Sequence, residues 1–265
     1  MKEFDRLFKR IGRQKKPFLE PVINVDYDLE AIDRIGRYVY TQDASVDENL
    51  AELDTLKEWY QKSPEYWRVL RKKEKIIGYC HIELLDQHLG EKLISGKISE
   101  NEIATCHIVP FCEARENSII HIGSIVRDKF DLRPSNDIAR LLAGASEMIF
   151  ALSNLHPTIK KIVAVSYPDK NGKNHFDSFL EYIGFEKVGN TPDGDYIYLS
   201  HINSCKRGFL KLREVSAYKN PKPSIIKQLK ASGITFDDIL EKANKVAEIL
   251  RSARRANKSG DDNSE

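Results

Sequence analysis

The chain has 265 residues, a formal net charge of +2, 41% hydrophobic residues and 31% charged residues. That length holds one large domain or a domain with appendages, and the near-neutral charge excludes a molecule that binds nucleic acid through its overall field. No run approaches the ~18 apolar residues a membrane span needs, and the cysteines (Cys80, Cys106, Cys112, Cys205) lack the paired spacing of a zinc site or disulfide framework.

Residues 1 to 20 carry seven Lys/Arg against three acids, with Phe4, Leu7, Phe8 and Ile11 at helical spacing. They read as a basic amphipathic segment docked or frayed at the terminus. They lack a signal peptide's apolar core, and free thiols suit a reducing cytoplasm, so a cytoplasmic protein is expected. Residues 28–40 put Leu29, Ile32, Ile35 and Val39 on one helical face, and a second helix is expected over 46–62.

From residue 66 the pattern changes to strands. "YWRVLRKKEKIIGYCHIELL" is two apolar runs around a charged turn, a hairpin by pattern. Within it His81 and Glu83 alternate with apolar neighbours and read as solvent-facing. Residues 86–117 are polar, with at most a short strand in "ATCHIVPF". Cys106 and His107 are adjacent and face opposite ways in an extended chain, which argues against a nucleophile–base pair.

"IIHIGSIV" (119–126) is apolar on both faces, the mark of a strand covered on both sides and central in its sheet. A helix follows, with Ile138, Leu141, Leu142, Ala145, Met148, Ile149 and Leu152 at 3,4-spacing and Ser135, Asn136 or Asp137 as its cap. The order strand, short polar loop, helix start turns backbone N–H groups toward an anion. "KKIVAVSY" (160–167) reads as another buried strand, and "NHFDSFLEYIGF" as a helix stopped by Gly184. "FEKVG" and "DYIYLS" close the pattern as a hairpin across "NTPDGD", completing a mixed α/β sandwich.

From about residue 220 the chain changes again. "NPKPS" reads as linker, Ser224 opens a short helix to Ala231, and Gly233 breaks it. Thr235 and Asp238 form a capping box for a helix with Phe236, Ile239, Leu240, Ala243, Val246 and Leu250 on one face. The expected organisation is a basic segment (1–20), a core domain (21–205), a linker (206–220) and a helical C-terminal appendage with a disordered polar tail (221–265). The appendage would pack on the domain or on a partner subunit.

Residues 66 to 200 resemble the GNAT superfamily of N-acetyltransferases, which transfer an acetyl group from acetyl-CoA to an amine. "KIIGYCHIELL" stands for the family's second and third strands and "IGSIVRDKFD" for its fourth. "RPSNDIARLL" stands at its pyrophosphate loop and helix, and "IVAVSY" with "FLEYIGFEKVG" at its fifth strand and fourth helix. The resemblance implies an α/β fold with a mixed, mainly antiparallel sheet flanked by helices. It also implies two central parallel strands that splay apart, leaving Ile125, Val126 and Arg127 to bind the pantetheine arm. Arg133, Ser135, Asn136, Asp137, Ile138 and Ala139 would then surround the pyrophosphate. Arg133 matches the residue that opens the family's R-x-x-G-x-G/A motif, whereas Asn136 and Ile138 replace its Gly and Gly/Ala. Asn tolerates left-handed dihedrals. An aspartate at 137 opposes a phosphate unless it points away as a cap.

The family's catalytic positions also differ here. Its glutamate on the fourth strand aligns with Gly123, and its tyrosine acid aligns with Leu180. Tyr182, two positions on, lies roughly 200° around the helix. His121, on the same strand face as Gly123, becomes the candidate base, and Tyr167, which closes the fifth strand, the candidate acid. The expected activity is N-acetyl transfer, with acetyl-CoA as co-substrate and a small-molecule or peptide amine as acceptor. The alternative is a catalytically silent GNAT-fold module that binds an acyl-CoA or a partner protein. A homo-oligomer or partner protein would use residues 221–258. No metal, membrane span or nucleic acid enters either reading.

Overall fold

Alternating and doubly buried apolar runs pair into one seven-stranded sheet in the computed structural model. The structure describes residues 18–43, 51–128, 137–168 and 177–214, together with positions 238, 241, 242, 244, 245 and 248. The strands are β1 (Phe18–Glu20), β2 (Trp67–Lys72), β3 (Lys75–Leu85), β4 (Ile119–Arg127), β5 (Lys161–Ser166), β6 (Glu186–Asn190) and β7 (Tyr196–His201). Their order is β1-β2-β3-β4-β5-β7-β6. Every neighbouring pair is antiparallel except β4 and β5. The run that is apolar on both faces thus becomes the middle strand, as its pattern requires.

Helices α1 (Val25–Asp43), α2 (Leu53–Lys62) and α3 (Gln87–Ile94) cover one face of the sheet. On that face Gly36 of α1 meets Tyr79, Trp59 of α2 stacks near His81, and Leu89 and Leu93 of α3 pack with Ile119, Val163 and Ile197. Helix α4 (Asp137–Leu155) lies on the opposite face, where Gly144 approaches Cys80. Helices α5 (Asp177–Tyr182) and α6 (Ile202–Glu214) complete the described core. Gly184 ends α5 with φ 92°, its N–H bonding Glu181 O while the Phe185 N–H bonds Leu180 O. This is the left-handed stop expected of the Gly-Phe pair.

Four expectations are corrected. Residues 18–20, grouped with the basic segment, form β1 and pair Leu19 with Leu70 at the sheet edge; three residues are too few to show a strand period. The polar stretch 86–117 contains α3, whose eight residues offer little periodicity to read. The expected linker 206–220 is helical through Glu214, because Ile202, Cys205 and Gly208 are buried against the core. The second helix begins at Leu53; residues 44–50 lie outside the described residues.

A buried ion cluster fastens β1, α1 and β2 together. Arg71 donates from Nη2 to both oxygens of Asp28 at 2.9 Å and from Nε to Glu20. Asp28 also accepts from the N–H groups of Ile23 and Asn24, so one carboxylate both fixes the chain entering α1 and neutralises the guanidinium. Residues 141–153 of α4 are buried without a break, and a helix covered all round needs partners on both sides. The sheet supplies one. On the other, Lys242 pairs with Glu147 at 3.3 Å and Asn154 donates to Asn244 at 2.9 Å.

Candidate active site

The ladder between β4 and β5 is short. It comprises Ile120↔Ile162, His121↔Val163 and Ile122↔Ala164, yet β4 continues to Arg127 and β5 to Ser166. From Gly123 onward β4 therefore has no register partner on β5, and the two parallel strands open into a crevice. On its other edge β4 remains paired with β3 as far as Gly78↔Arg127.

A bulge sits at the vertex of this crevice. Glu83 pairs with His121 and His81 with Ser124, so Ile122 and Gly123 together oppose Ile82. The extra residue resets the side-chain parity, bringing His121 and Ser124 to the face that carries His81 and Tyr79. Ser124 lies close enough to the hydroxyls of Tyr40 and Tyr79 to offset part of the rise that burial gives their pKa values. Tyr167, just past β5, packs edge-on against Tyr40 with ring centroids 5.5 Å apart.

His81 and Glu83, read from the sequence as solvent-facing, are buried at 4% and 1% exposure. His81 stacks on Trp67 at 3.8 Å, and burial lowers its pKa to about 4 despite Glu83, so the ring is neutral. Its position explains Gly123: a Cβ there would lie 2.8 Å from His81 Nδ1. The residue type that the family pattern puts at 123 has no room.

His121 donates from Nδ1 to Glu83 Oε1 at 2.6 Å and from Nε2 to Glu100 Oε1 at 2.5 Å. Burial alone would lower its pKa, but Glu100 and Glu83 outweigh that and raise it to about 10. Glu83 is in turn held ionised: burial raises its pKa, and the bond and charge of His121 more than reverse this. Sequence reasoning makes His121 the candidate base. Both ring nitrogens donate to carboxylates and their charge holds the proton, so the ring has no free lone pair and ties Glu83 to Glu100.

Glu100 is the residue that sequence reasoning missed. It lies on a single 3-10 turn, Glu100–Glu102, inside the polar stretch before β4. The chain reaches it through a Schellman stop at Gly96, φ 66°, where the Gly96 N–H bonds Leu93 O and the Lys97 N–H bonds Lys92 O. Ile98 and Ile103 are buried on either side, and the Glu102 carboxylate accepts from the Ser99 N–H at 2.9 Å. Those anchors aim Glu100 inward. Its Oε2 accepts from the Tyr167 hydroxyl, so the two predicted catalytic residues, His121 and Tyr167, are joined through one unpredicted carboxylate. Burial, and then the charge of Glu100, raise the Tyr167 pKa well above its ordinary value, leaving it a neutral hydrogen-bond donor. Asp195 shares this field: burial, Glu100 and Asp193 raise its pKa to about 6.

The far end of the crevice faces the start of α4. Asp137 is 1% exposed, and its carboxylate takes Arg127 Nε at 3.3 Å and Arg140 Nη1 at 3.2 Å. The aspartate expected to repel a phosphate is thus neutralised by two guanidiniums, and the trio carries a net +1 at a helix N-terminus. Ile125, Val126 and Arg127 lie on the unpaired half of β4, and Asp137, Ile138 and Ala139 open α4. Arg133, Ser135 and Asn136 lie outside the described residues.

Strand order and the split parallel pair decide the architecture. The fold is GNAT-like. Among solved structures the chain is similar to GphF, a GNAT-like decarboxylase in complex with isobutyryl-CoA, at 16% identity and a TM-score of 0.49, covering 70% of this chain and 99% of that one. It is similar to FeeM, an N-acyl amino acid synthase from uncultured soil microbes, at 12% identity and a TM-score of 0.47, covering 74% and 96%. It is also similar to the PaiA N-acetyltransferase from Thermoplasma acidophilum in complex with coenzyme A, at 10% identity and a TM-score of 0.43, covering 70% and 99%. No family model matches the chain, and no curated protein does.

Leu180, which the resemblance aligns with the family's tyrosine acid, is buried in the main core at 8% exposure. Among the described residues, Cys80, Cys106 and Cys205 are free thiols, and no helix is long and apolar enough to cross a membrane.

Proposed function

We propose that this protein is a cytoplasmic, CoA-dependent N-acyltransferase that moves an acetyl group from acetyl-CoA to a small-molecule or peptide amine. One observation carries the reading: the β4–β5 ladder stops at Ile122↔Ala164, and His121, Glu100 and Tyr167 form one hydrogen-bonded chain from that vertex. An unpaired parallel edge can hydrogen-bond an extended amide-bearing arm, and Ile125, Val126 and Arg127 supply it. The Arg127–Asp137–Arg140 trio at the start of α4, which Ile138 and Ala139 continue, would take the anionic pyrophosphate, and the family resemblance assigns Arg133, Ser135 and Asn136 to the same role.

Within this reading a backbone N–H near Val126 polarises the thioester carbonyl. Tyr167 keeps its proton and His121 its charge, and together they hold Glu100 in one orientation at the vertex. The thiolate that leaves needs little help, because a thiol's pKa is only about 8.5. Lys242 and Asn244 meet the outer side of α4, and the C-terminal segment, 221–258, would be the surface for a second copy or a partner protein.

A second reading, the silent acyl-CoA-binding module, is favoured by the pairing of both His121 ring nitrogens with carboxylates, which leaves that ring no lone pair for a proton. Mass spectrometry separates the two. Incubation with acetyl-CoA and a mixture of primary amines yields acetylated amine and free CoA for an enzyme, and neither for a silent module.

A further inference from the structure

We infer that Glu100 is the catalytic carboxylate that takes the proton from the acceptor amine. The inference rests on the acyltransfer reading above and assigns its missing base. His121 has both ring nitrogens on carboxylates, and Glu83 is buried behind it with side-chain exposure of 2%. Glu100, at 13%, is the most exposed member of this ion chain, bonded to His121 at the vertex and to Tyr167 just past β5. Each of its oxygens accepts one of the bonds from His121 and Tyr167. A carboxylate oxygen carries two lone pairs, so the amine's N–H still finds an acceptor there.

The step balances without any further reagent. The amine nitrogen bonds to the thioester carbonyl carbon, and the C–S bond breaks with its electron pair left on sulfur. As the C–N bond forms, the nitrogen becomes positive and its proton acidic enough for Glu100 to take. Glu100 then passes that proton to the sulfur, leaving amide, thiol and the original carboxylate. Holding Glu100 between a fixed cation and a phenol keeps one rotamer for this transfer. The nearby charge of Asp195 and Asp193 favours the positive charge that develops on nitrogen.

Thiol release from acetyl-CoA is followed with putrescine, tyramine, benzylamine and L-lysine as acceptors, and acetyl-CoA affinity is measured separately by calorimetry. Glu100→Gln should lower kcat by roughly 10²-fold or more with unchanged acetyl-CoA affinity. Glu100→Ala should lose as much and be partly restored by added formate or acetate, the restored rate rising with the basicity of the carboxylate. A merely structural gap would not follow basicity. Wild-type turnover in Glu100→Gln, or rescue indifferent to basicity, overturns the inference alone. If Glu100→Gln melts below the assay temperature, the matched pair Glu100→Asp and Glu100→Asn decides, and equal turnover in that pair overturns it. A wild type that binds no acetyl-CoA, or binds it and acetylates none of these amines, overturns the acyltransfer reading together with the inference.

Discussion

The imidazole of His121 donates to Glu100 at 2.5 Å, tying the segment that follows α3 to the central strand of the sheet. Two carboxylates on one buried ring make that ring a permanent cation at neutral pH, and stability inherits this as a pH dependence. The His121 pKa is about 10 in the folded chain against 6.5 for the free group. Between those values the folded state holds one more proton than the unfolded state, so the His121 contribution is fully present below about pH 6.5 and is lost as pH rises toward about 10. The slope is up to ~1.4 kcal/mol per pH unit. His81 acts in the opposite window: its pKa of about 4 means that its contribution is lost as pH falls below about 6.5. Urea unfolding across this range should show the alkaline decline in wild type and a shallower one in His121→Gln. A wild-type profile flat from neutral to alkaline pH would contradict it.

Gly123→Ala should disturb the vertex from within. The new methyl group would meet His81 Nδ1 at 2.8 Å and Cε1 at 3.1 Å, and the ring cannot swing freely while stacked on Trp67 at 3.8 Å. Overpacking of this kind costs about 1–3 kcal/mol. Thermal melting should report it, and an unchanged midpoint would mean that the ring has another place to go.

These residues also mark how far the sequence could be read. The strand over 119–126, the helix after it and the Gly-Phe stop at Gly184 were legible because burial on two faces, 3,4-spacing and a left-handed glycine each leave a local pattern. His121 and Tyr167 were legible as candidates for the same reason, each lying on or beside a recognisable strand. Glu100 was not. It owes its place to Gly96, Ile98 and Ile103 acting through packing with distant strands, and a lone glutamate in a polar stretch carries no periodicity. The burial of His81 and Glu83 was hidden by alternation, which marks a half-exposed strand unless helices such as α2 cover the second face. The bulge at Ile122–Gly123, which changes what His121 faces, exists only in the pairing with β3.

Arg71→Ala should be among the most destabilising single changes in the core. It leaves Asp28 and Glu20 without their guanidinium at side-chain exposures of 1% and 11%. Breaking a buried pair by removing one partner costs about 3–5 kcal/mol. Urea denaturation should find a loss of that size; a loss within ~0.5 kcal/mol, the range of ordinary surface substitutions, would show that water replaces the guanidinium.

Ending the chain after Asn220 removes Lys242 and Asn244 from α4, where Glu147 is buried at 7% exposure with its pKa raised by burial and lowered in part by Lys242. The shortened protein should melt at a lower temperature and self-associate through the uncovered side of α4. Light scattering and thermal melting check both outcomes, and a monomer with an unchanged midpoint would contradict the covering role.

Calorimetric titration with acetyl-CoA tests the central claim, that the split between β4 and β5 leading to the start of α4 seats a CoA thioester. Wild type should give a saturable heat, and Arg127→Ala should bind about tenfold more weakly, the ~1.4 kcal/mol of a charge-assisted hydrogen bond to phosphate. No heat from wild type, with no thermal shift at millimolar acetyl-CoA, would contradict the account.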